Sequence, residues 1–291
     1  MIMTTLPIGL QLFSVRKTME KDYMGTLQKV SDIGYKNIEF AIFPYNNGEF
    51  EPEMSGRELK ARLADMGLSV VNTMVAFHEK LDWDKVIEYC NELGSLGFCS
   101  PIFFYKNKDA VFERAEWLNK MGEKSAKADM EFYFHNHFME FQKFDGKTVY
   151  EYLLENTDPR YVLFELDTFW AQRGGVDPID IMDQAGQRLR LIHQKDISKD
   201  TRPVNLLEVI PEGTSITYDV FYPLGSSNLD FVEVGTGIMD IRGILKKAKE
   251  LGSVKYIIVE QDQTILTELE SIQVSYDCMS RILKELESEQ A

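Results

Sequence analysis

The sequence predicts a single (β/α)8 barrel, the TIM-barrel architecture of the α/β class, over residues 1–291. Short apolar segments alternate with longer amphipathic segments from one end of the chain to the other, in eight pairs. A chain of 291 residues with 44% hydrophobic residues can form one barrel with a full core. An open doubly wound sheet is the alternative, but the segment from Gly9 to Ser14 offers no glycine-rich phosphate loop after the first strand.

In the first half of the chain, glycine marks the ends of the predicted helices. Gly34, Gly67 and Gly97 each separate an amphipathic segment from the next apolar one, and glycine readily adopts the left-handed conformation that ends a helix. Ser55 is the predicted N-cap of the second helix. The predicted strands cover residues 7–13, 36–40, 68–74 and 98–104, and the predicted helices cover residues 22–33, 55–66, 84–96 and 110–128.

The second half keeps this alternation and interrupts it once. The predicted strands cover residues 132–135, 162–167, 189–193 and 256–260, and the predicted helices cover residues 148–156, 178–185, 241–251 and 267–287. Residues 197–240 are rich in Pro, Gly, Ser and Asn, which predicts a loop-rich insertion. We expect this insertion to shape the pocket or a contact between subunits, and the sequence leaves a homo-oligomer open.

An excess of acidic residues restricts the class of partner. The chain has 32 basic and 47 acidic residues, a net charge of -15, and such a surface repels nucleic acid and anionic membranes. We therefore expect a small-molecule partner. The cysteines Cys90, Cys99 and Cys278 have no paired spacing, so the sequence indicates neither a disulfide framework nor a thiolate metal site.

Two further absences bear on where the protein works. No apolar stretch of the sequence is long enough to cross a bilayer. Residues 1–5 lack the charged start and the apolar run of a secretion signal. We expect a cytoplasmic protein, or a periplasmic one if a signal peptide has been removed.

Four consecutive predicted strands end in side chains that bind metals. His135, Asp167, His193 and Glu260 stand at the ends of strands five to eight, and the carboxyl ends of barrel strands form the active-site face. A single histidine at a strand end is more often a hydrogen-bonded rim residue, Asp167 could start the following loop, and Glu260 could pair with a lysine. Four such residues on successive strands nevertheless predict one metal site. This mixed nitrogen and oxygen set favours Mn²⁺, with Zn²⁺, Co²⁺, Fe²⁺ and Mg²⁺ as alternatives, and suits Ca²⁺ poorly.

Several neighbours of these residues are candidates for catalysis or substrate binding. Strand alternation places Lys195 on the same face as His193. The other candidates lie at or just beyond strand ends. His137 and Glu140 are candidate acid–base residues, and Gln11, Glu39, His78 and Trp170 are candidate substrate contacts.

With these segments in place, the chain resembles the sugar phosphate isomerase/epimerase superfamily. These xylose-isomerase-like TIM barrels include tagatose epimerases, inosose dehydratase and endonuclease IV. The resemblance rests on segments spread over nearly the full length: residues 8–16, 34–39, 135–140 (HNHFME), 166–170 (LDTFW), 192–196 (IHQKD), 234–238 (VGTGI) and 259–262 (VEQD).

The resemblance implies a ligand set with one departure. Asp167, His193 and Glu260 match the usual metal ligands of strands six to eight. On strand five the epimerases typically carry a glutamate, where this chain has His135. Whether His135 or Glu140 supplies the fourth ligand stays open at this point.

The implied reaction is removal of a proton next to the carbonyl of a keto sugar or keto polyol by a divalent-metal-dependent enzyme. Glu260, Glu140 or a strand-five histidine is the expected base, and Lys195 neutralises charge on an oxygen. Reprotonation gives isomerisation or epimerisation, whereas loss of a β substituent gives a dehydratase or a keto-glycoside lyase. His135 in place of one of the paired glutamates favours the lyase outcome. The absence of a phosphate-binding cluster favours a non-phosphorylated substrate.

Two other classes of protein are considered. An enzyme like endonuclease IV needs three metal ions, many histidines and a basic face, but this chain has 4 histidines and a net charge of -15. A non-catalytic sugar-binding TIM barrel is the remaining alternative. Such a protein would keep its affinity for the sugar after chelation of the metal, whereas the enzyme would lose turnover.

Overall fold

Eight parallel strands close into a barrel in the computed structural model, which describes residues 6–43, 48–211 and 214–289. Each strand pairs with its sequence neighbours and β8 pairs with β1, so the predicted TIM barrel is confirmed. The prediction of a cytoplasmic or periplasmic location depends partly on residues 1–5. These residues lie outside the described residues. The strands are β1 Ile8–Gln11, β2 Asn37–Ile42, β3 Ser69–Val75, β4 Gly97–Cys99, β5 Glu131–His135, β6 Leu163–Asp167, β7 Leu189–Gln194 and β8 Tyr256–Val259.

The helices surround the barrel and follow the expected capping chemistry. Asp22 and Ser55 cap α2 and α3 by accepting hydrogen bonds from backbone N–H groups. Within the described residues, no helix combines the length and the apolar character that a membrane-spanning segment requires. The helices are α1 Arg16–Met19, α2 Tyr23–Ile33, α3 Gly56–Asp65, α4 Trp83–Leu93, α5 Lys108–Ala126, α6 Val149–Asn156, α7 Thr168–Arg173, α8 Pro178–Ala185, α9 Tyr218–Gly225, α10 Ile241–Leu251 and α11 Glu268–Ser288.

The end of α4 differs from the prediction. The helix ends at Leu93 and is capped by Gly94, which has the left-handed φ of 82°, so it does not reach residue 96 as predicted. Gly97 belongs to β4, where a Cβ atom would lie 2.5 Å from the carbonyl oxygen of Glu131 on the neighbouring strand. Gly97 is therefore needed for close strand packing, whereas Gly94 is needed for the turn. The predicted fourth strand, 98–104, is also shorter in the structure.

The insertion at 197–240 contains more structure than its composition predicts. It includes α9, which the sequence analysis missed because Pro223 lies inside it and its N-cap side chain makes no capping hydrogen bond. A short antiparallel ribbon joins Asp196–Ile197 to Phe231–Val232. The Asp196 carboxylate accepts hydrogen bonds from the N–H groups of Gly235, Gly237 and Met239. These bonds fix the return of the insertion next to the end of β7.

The interior of the barrel changes character along its axis. Strand alternation places Leu191 and His193 on one face of β7, and Ile258 and Glu260 on one face of the β8 segment. Leu191 and Ile258 belong to a small buried cluster with Val71, Met74, Cys99 and Tyr133. The barrel is therefore apolar below and charged at the carboxyl ends of its strands, where the candidate site lies.

Candidate active site

Strand alternation supplies the charged side chains at the carboxyl ends of β5 to β8. His135 ends β5, and His193 lies in β7 with Lys195 just beyond that strand. On β6, Glu165 and Asp167 are two residues apart and therefore share the inner face. Sequence reasoning used this rule for Lys195 but did not apply it to Glu165. All five side chains are almost fully buried.

The deeper of two groups, called the lower layer, consists of Glu39, His135, Glu165 and His193. Nε2 of His193 lies 2.7 Å from Oε2 of Glu39 and 3.3 Å from Oε1 of Glu165. Nδ1 of His135 lies 3.3 Å from Oε2 of Glu165. The lower layer thus brings two imidazoles and two carboxyl groups within ion-pair distance of one another.

Polar side chains of β1, β3 and β4 hold the lower-layer carboxylates. Nε2 of Gln11 donates to Glu39 over 2.5 Å, and Nδ2 of Asn72 donates to Glu39 over 2.5 Å. Asn72 also donates to Glu165 over 3.1 Å, and the Cys99 thiol donates to Glu165 over 3.4 Å. The orientation of both carboxylates is therefore fixed by neutral donors.

The second group, called the upper layer, consists of Asp167, Lys195, Glu260 and Asp262. Nζ of Lys195 lies 2.5 Å from Asp167, 2.6 Å from Glu260 and 3.6 Å from Asp262. Its ammonium also lies 5.7 Å from the ring centroid of Trp170. Lys195 is therefore the cation around which the upper layer is arranged. The sequence had not singled out Asp262.

One histidine joins the two layers. Nδ1 of His193 lies 2.9 Å from Oε2 of Glu260 in the upper layer, while its Nε2 faces the lower layer. Burial lowers the pKa of His193, but Glu39, Glu165 and Glu260 outweigh it and raise the pKa well above its usual value. The ring is therefore surrounded by negative charge on both sides.

The charges of the upper layer depend on one another. Burial lowers the pKa of Lys195, but Asp167, Asp262 and Glu260 outweigh burial, so the pKa is raised. Burial raises the pKa of Glu260, and Lys195 with His193 reverses this and lowers it. Burial also raises the pKa of Asp262, to about 7, because Lys195 offsets the effect of burial less fully at Asp262 than at Glu260. Lys195 and Glu260 are therefore an ion pair at neutral pH.

A cavity of about 440 Å³ opens above the upper layer, a size typical of small-molecule sites. Its polar end and its apolar wall come from different parts of the chain. Lys195, Glu260 and Asp262 follow β7 and β8, whereas Phe221 and Tyr222 lie on α9. The lining includes Gln11, Phe13, Phe43, Ile102, His135, His137, Trp170, Lys195, Tyr218, Phe221, Tyr222, Glu260 and Asp262.

The predicted site residues are divided by this cavity. Those that line it are Gln11, His135, His137, Trp170, Lys195 and Glu260. Those that are buried beneath the lining are Glu39, Asp167 and His193. Glu140 and His78 are not among the lining residues of the described chain. The Glu140 carboxylate accepts a hydrogen bond of 2.8 Å from the N–H of His137, so it positions the strand-five loop. His78 accepts a hydrogen bond from the N–H of Lys80.

The predicted metal ligands also fall into two sets. Ligand atoms of Asp167, His193 and Glu260 lie within 4.8 Å of one another. Among the described residues, His135 groups instead with Glu165 and His193, again within 4.8 Å. Both sets offer nitrogen and oxygen donors of the kind that suit Zn²⁺ or Mn²⁺, so their donor chemistry fits a divalent cation. The four-residue set predicted from the sequence stays a prediction.

The comparison with protein families identifies the fold. The family profile of the xylose isomerase-like TIM barrel matches residues 27–280. The chain belongs to this family. The resemblance inferred from the sequence is thereby confirmed.

Several of the similar proteins have names that describe an enzyme activity. An inosose dehydratase from Geobacillus kaustophilus is 30% identical over 111 residues, which cover 38% of this chain and 33% of that protein. The chain thus spans about a third of that relative's length. A sugar phosphate isomerase/epimerase structure from Parabacteroides distasonis has 24% identity and a TM-score of 0.73, covering 96% of both chains. The IOLI protein, solved with a zinc atom, has 16% identity and a TM-score of 0.67, covering 96% of this chain and 99% of its own. These two structural likenesses show the fold alone.

Proposed function

We propose that this chain is a divalent-metal-dependent enzyme that removes a proton next to the carbonyl of a keto sugar or keto polyol. The observation that carries the proposal is the polar end of the cavity. There the Lys195 ammonium is held by two buried carboxylates and opens, with Glu260, Asp262 and His137, onto an apolar wall. A charged end and an aromatic wall suit a sugar, whose hydroxyls and carbon face require different neighbours.

A metal fits this site through His193. This residue and the carboxylates on either side of it would hold a divalent cation, which when bound supplies Lewis-acid polarisation of a carbonyl group. The IOLI structure, which was solved with a zinc atom, supports a metal in a protein of this fold. Mn²⁺ stays the first choice on ligand chemistry, with Zn²⁺ as the next.

The chain's own residues divide the remaining tasks. Lys195 reaches the cavity and carries the positive charge that stabilises an enolate oxygen. Glu260, Asp262 and His137 line the cavity and are the candidate bases. Trp170 and Phe221 exclude water from the wall that faces them.

The arrangement favours elimination over epimerisation. Epimerisation with two bases requires acid–base groups on opposite faces of the substrate. Glu260 and Asp262 lie 2.6 Å and 3.6 Å from the same ammonium, so they stand on one side of the cavity. The inosose dehydratase relatives support loss of a β-hydroxyl as the following step. We therefore place a dehydratase or keto-glycoside lyase first and an isomerase second.

Product analysis by NMR tests this proposal. The purified protein is incubated in D₂O with keto sugars, keto-inositols and 3-keto-glycosides, with Mn²⁺ or Zn²⁺ added. We expect an elimination product, or deuterium at the carbon next to the carbonyl, for at least one class of substrate. The absence of both signals from the whole panel would reject the reaction. Sugar binding that survives chelation, without turnover, would indicate the sugar-binding barrel.

Replacement of Glu260 separates catalysis from folding. Glu260→Gln keeps an oxygen that accepts from Lys195 but removes the charge. We expect product formation to fall by about 100-fold or more, the size typical of a lost acid–base group, with a small change in Tm. A large fall in Tm with much of the activity retained would show that Glu260 is structural.

A further inference from the structure

We infer that the substrate is a keto sugar joined through oxygen to an aromatic, phenol-type aglycone, and that this aglycone lies between two aromatic walls of the cavity. The inference deepens the proposed function and rests on its elimination reaction. Of the two eliminations proposed above, it selects cleavage of a keto-glycoside over loss of water. Three features of the cavity support it.

The first feature is a pair of aromatic walls that come from different parts of the chain. One wall, called the β1–β2 wall, consists of Phe13, just after β1, and Phe43, just after β2. Their ring centroids are 6.3 Å apart. The other, called the α9 wall, consists of Tyr218, Phe221 and Tyr222, and the rings of its two tyrosines are stacked at 5.6 Å.

The two walls stand on opposite sides of the cavity. The Phe221 ring lies 5.3 Å from that of His137, just after β5, and 5.8 Å from that of Trp170, just after β6. The α9 wall therefore lies over the ends of β5 and β6. In the closed strand order, β5 and β6 are four positions away from β1 and β2. Aromatic rings on two opposite sides suit a ligand that is itself flat and apolar.

The second feature is the confinement of charge to one end of the cavity. Lys195 is the only lysine or arginine among the described lining residues, and it is paired with Glu260. The polar side-chain groups of the two walls are the hydroxyls of Tyr218 and Tyr222, and Ser226 beyond α9 adds one more. A phosphate or a second sugar ring would leave polar groups there without partners. An aromatic ring requires no such partners.

The third feature is the exposure of the aromatic rings that are far from the charged end. Trp170, whose ring centroid lies 5.7 Å from the Lys195 ammonium, is 2% exposed. Phe43 is 66% exposed and Tyr222 is 56% exposed, although both line the cavity. Exposed apolar rings at a concave site mark a binding surface for an apolar group. An aromatic aglycone would cover these rings, and the removal of apolar area from water favours binding.

The reaction that fits this arrangement is a β-elimination that releases a phenol. A base at the charged end removes the proton from the carbon next to the carbonyl, and the electron pair left behind forms a double bond to the β carbon. The bond from the β carbon to the aglycone oxygen breaks, and this oxygen leaves with the bonding electrons and takes up a proton. The products are an unsaturated keto sugar and a phenol, and no oxidant or reductant is required.

The choice of a phenol follows from the side chains around the leaving group. Neither wall contains a carboxyl group or an imidazole of its own. A leaving group that requires little help from an acid therefore suits the space between them. Phenols have a pKa of about 10, so a phenolate leaves far more readily than hydroxide or an alkoxide does.

Ligands that cannot react test the two walls without turnover. Phenyl and methyl glycosides of the same sugar have a hydroxyl group in place of the ketone, so neither can undergo the elimination. Isothermal titration calorimetry compares the dissociation constants of such pairs (glucosides, galactosides and xylosides) for the purified protein with Mn²⁺ added. We expect the phenyl member of at least one pair to bind about 10-fold or more tightly than the methyl member, because its ring is removed from water.

Two variants remove one ring from each wall. Phe43→Ala and Tyr222→Ala change side chains that are largely exposed, so the barrel should stay folded, which circular dichroism checks. We expect each variant to lower the affinity for the phenyl glycoside by about 10-fold and to leave that for the methyl glycoside nearly unchanged. The matched control is Phe112→Ala, which removes a partly exposed ring of α5 outside the described cavity lining and should change neither affinity.

Four results would overturn the inference. They are equal affinity for the phenyl and methyl glycosides, a phenyl preference that either wall variant retains in full, and no binding of any phenyl glycoside. The fourth is a wild-type dimer that dissociates in Phe43→Ala or Tyr222→Ala, measured by analytical ultracentrifugation, because it would show that the exposed rings form a subunit contact.

The proposed reaction is measured separately, by NMR analysis of products from the 3-keto forms of the same glycosides. A phenyl preference without turnover of any keto substrate would reject the reaction and leave the aglycone site in place. Turnover of keto sugars or keto-inositols without a phenyl preference would reject the aglycone site and leave the reaction in place.

Discussion

The lower and upper layers of the site hold similar side chains but compensate their charge in different ways. In the upper layer a lysine of the chain lies between Asp167 and Glu260. In the lower layer Glu39 and Glu165 meet the imidazoles of two histidines at 2.7–3.3 Å. Both pairs of carboxylates are buried. The comparison shows that one barrel can compensate buried carboxylates with a lysine in one layer and with histidines in the other.

Removal of the built-in cation should have the largest effect on stability. Lys195→Met leaves Asp167 and Glu260 buried without their common partner, and breaking such a pair costs about 3–5 kcal/mol. We expect the free energy of unfolding, measured by urea denaturation, to fall by this amount. Product formation should be lost as well. The control is Lys247→Met, which removes a lysine from its ion pair with the largely exposed Asp183 and should cost less than about 1 kcal/mol. Similar losses in the two variants would contradict the contrast.

A change in the support of the lower layer should have an intermediate effect. Asn72→Ala removes the side chain that donates to both Glu39 and Glu165. We expect the free energy of unfolding to fall by about 1–3 kcal/mol and Co²⁺ affinity to fall by about 10-fold or more. The same titration on Asn37→Ala, whose amide donates to the carbonyl of Ile8 outside the site, should show unchanged affinity. Equal Co²⁺ affinity in wild type and Asn72→Ala would show that Asn72 does not support a ligand.

A further buried carboxyl group, that of Glu140, extends the comparison to pH. Burial raises the pKa of Glu140 to about 8, although the N–H of His137 and the guanidinium of Arg114 oppose the shift. The unfolded chain loses this proton near pH 4.5, so the folded form binds it more tightly. The stabilisation from Glu140 is therefore complete below about pH 4.5 and is lost as pH rises toward 8.

Glu140→Gln tests this pH dependence. Glutamine resembles the protonated acid but does not titrate. We expect the stability of the variant relative to wild type to rise by about 1 kcal/mol or more between pH 5 and pH 8. The measurement is urea unfolding across that range. A difference that is constant with pH would show that Glu140 is ionised in the folded protein.

Much of the fold could be predicted from the sequence because it depends on local patterns. Apolar segments, the N-cap Ser55 and C-terminal glycines such as Gly34 gave the barrel and most helix boundaries. The prediction was wrong at Gly97 because a glycine between a helix and a strand can serve either of them. It missed α9 because that helix contains Pro223 and is held by packing over the cavity.

The candidate site could be predicted only in part. Residues at the ends of β5 to β8 were found because alternation and strand order place them on one rim. The same rule would also have found Glu165, two residues before Asp167. Asn72 could not be found in this way, because its contact with Glu165 joins residues 93 positions apart across the barrel. Such a contact depends on the register of several strands.

The sequence by itself determined the kind of barrel and the types of side chain at its catalytic end. The period of its apolar residues sets the strands and helices, and alternation sets which side chains point inward. Only the tertiary structure decided which charges meet. Lys195 lies between Asp167 and Glu260, and His193 points one nitrogen at each layer. Electrostatic interactions depend on distances between strands, and those distances exist only once the barrel has closed.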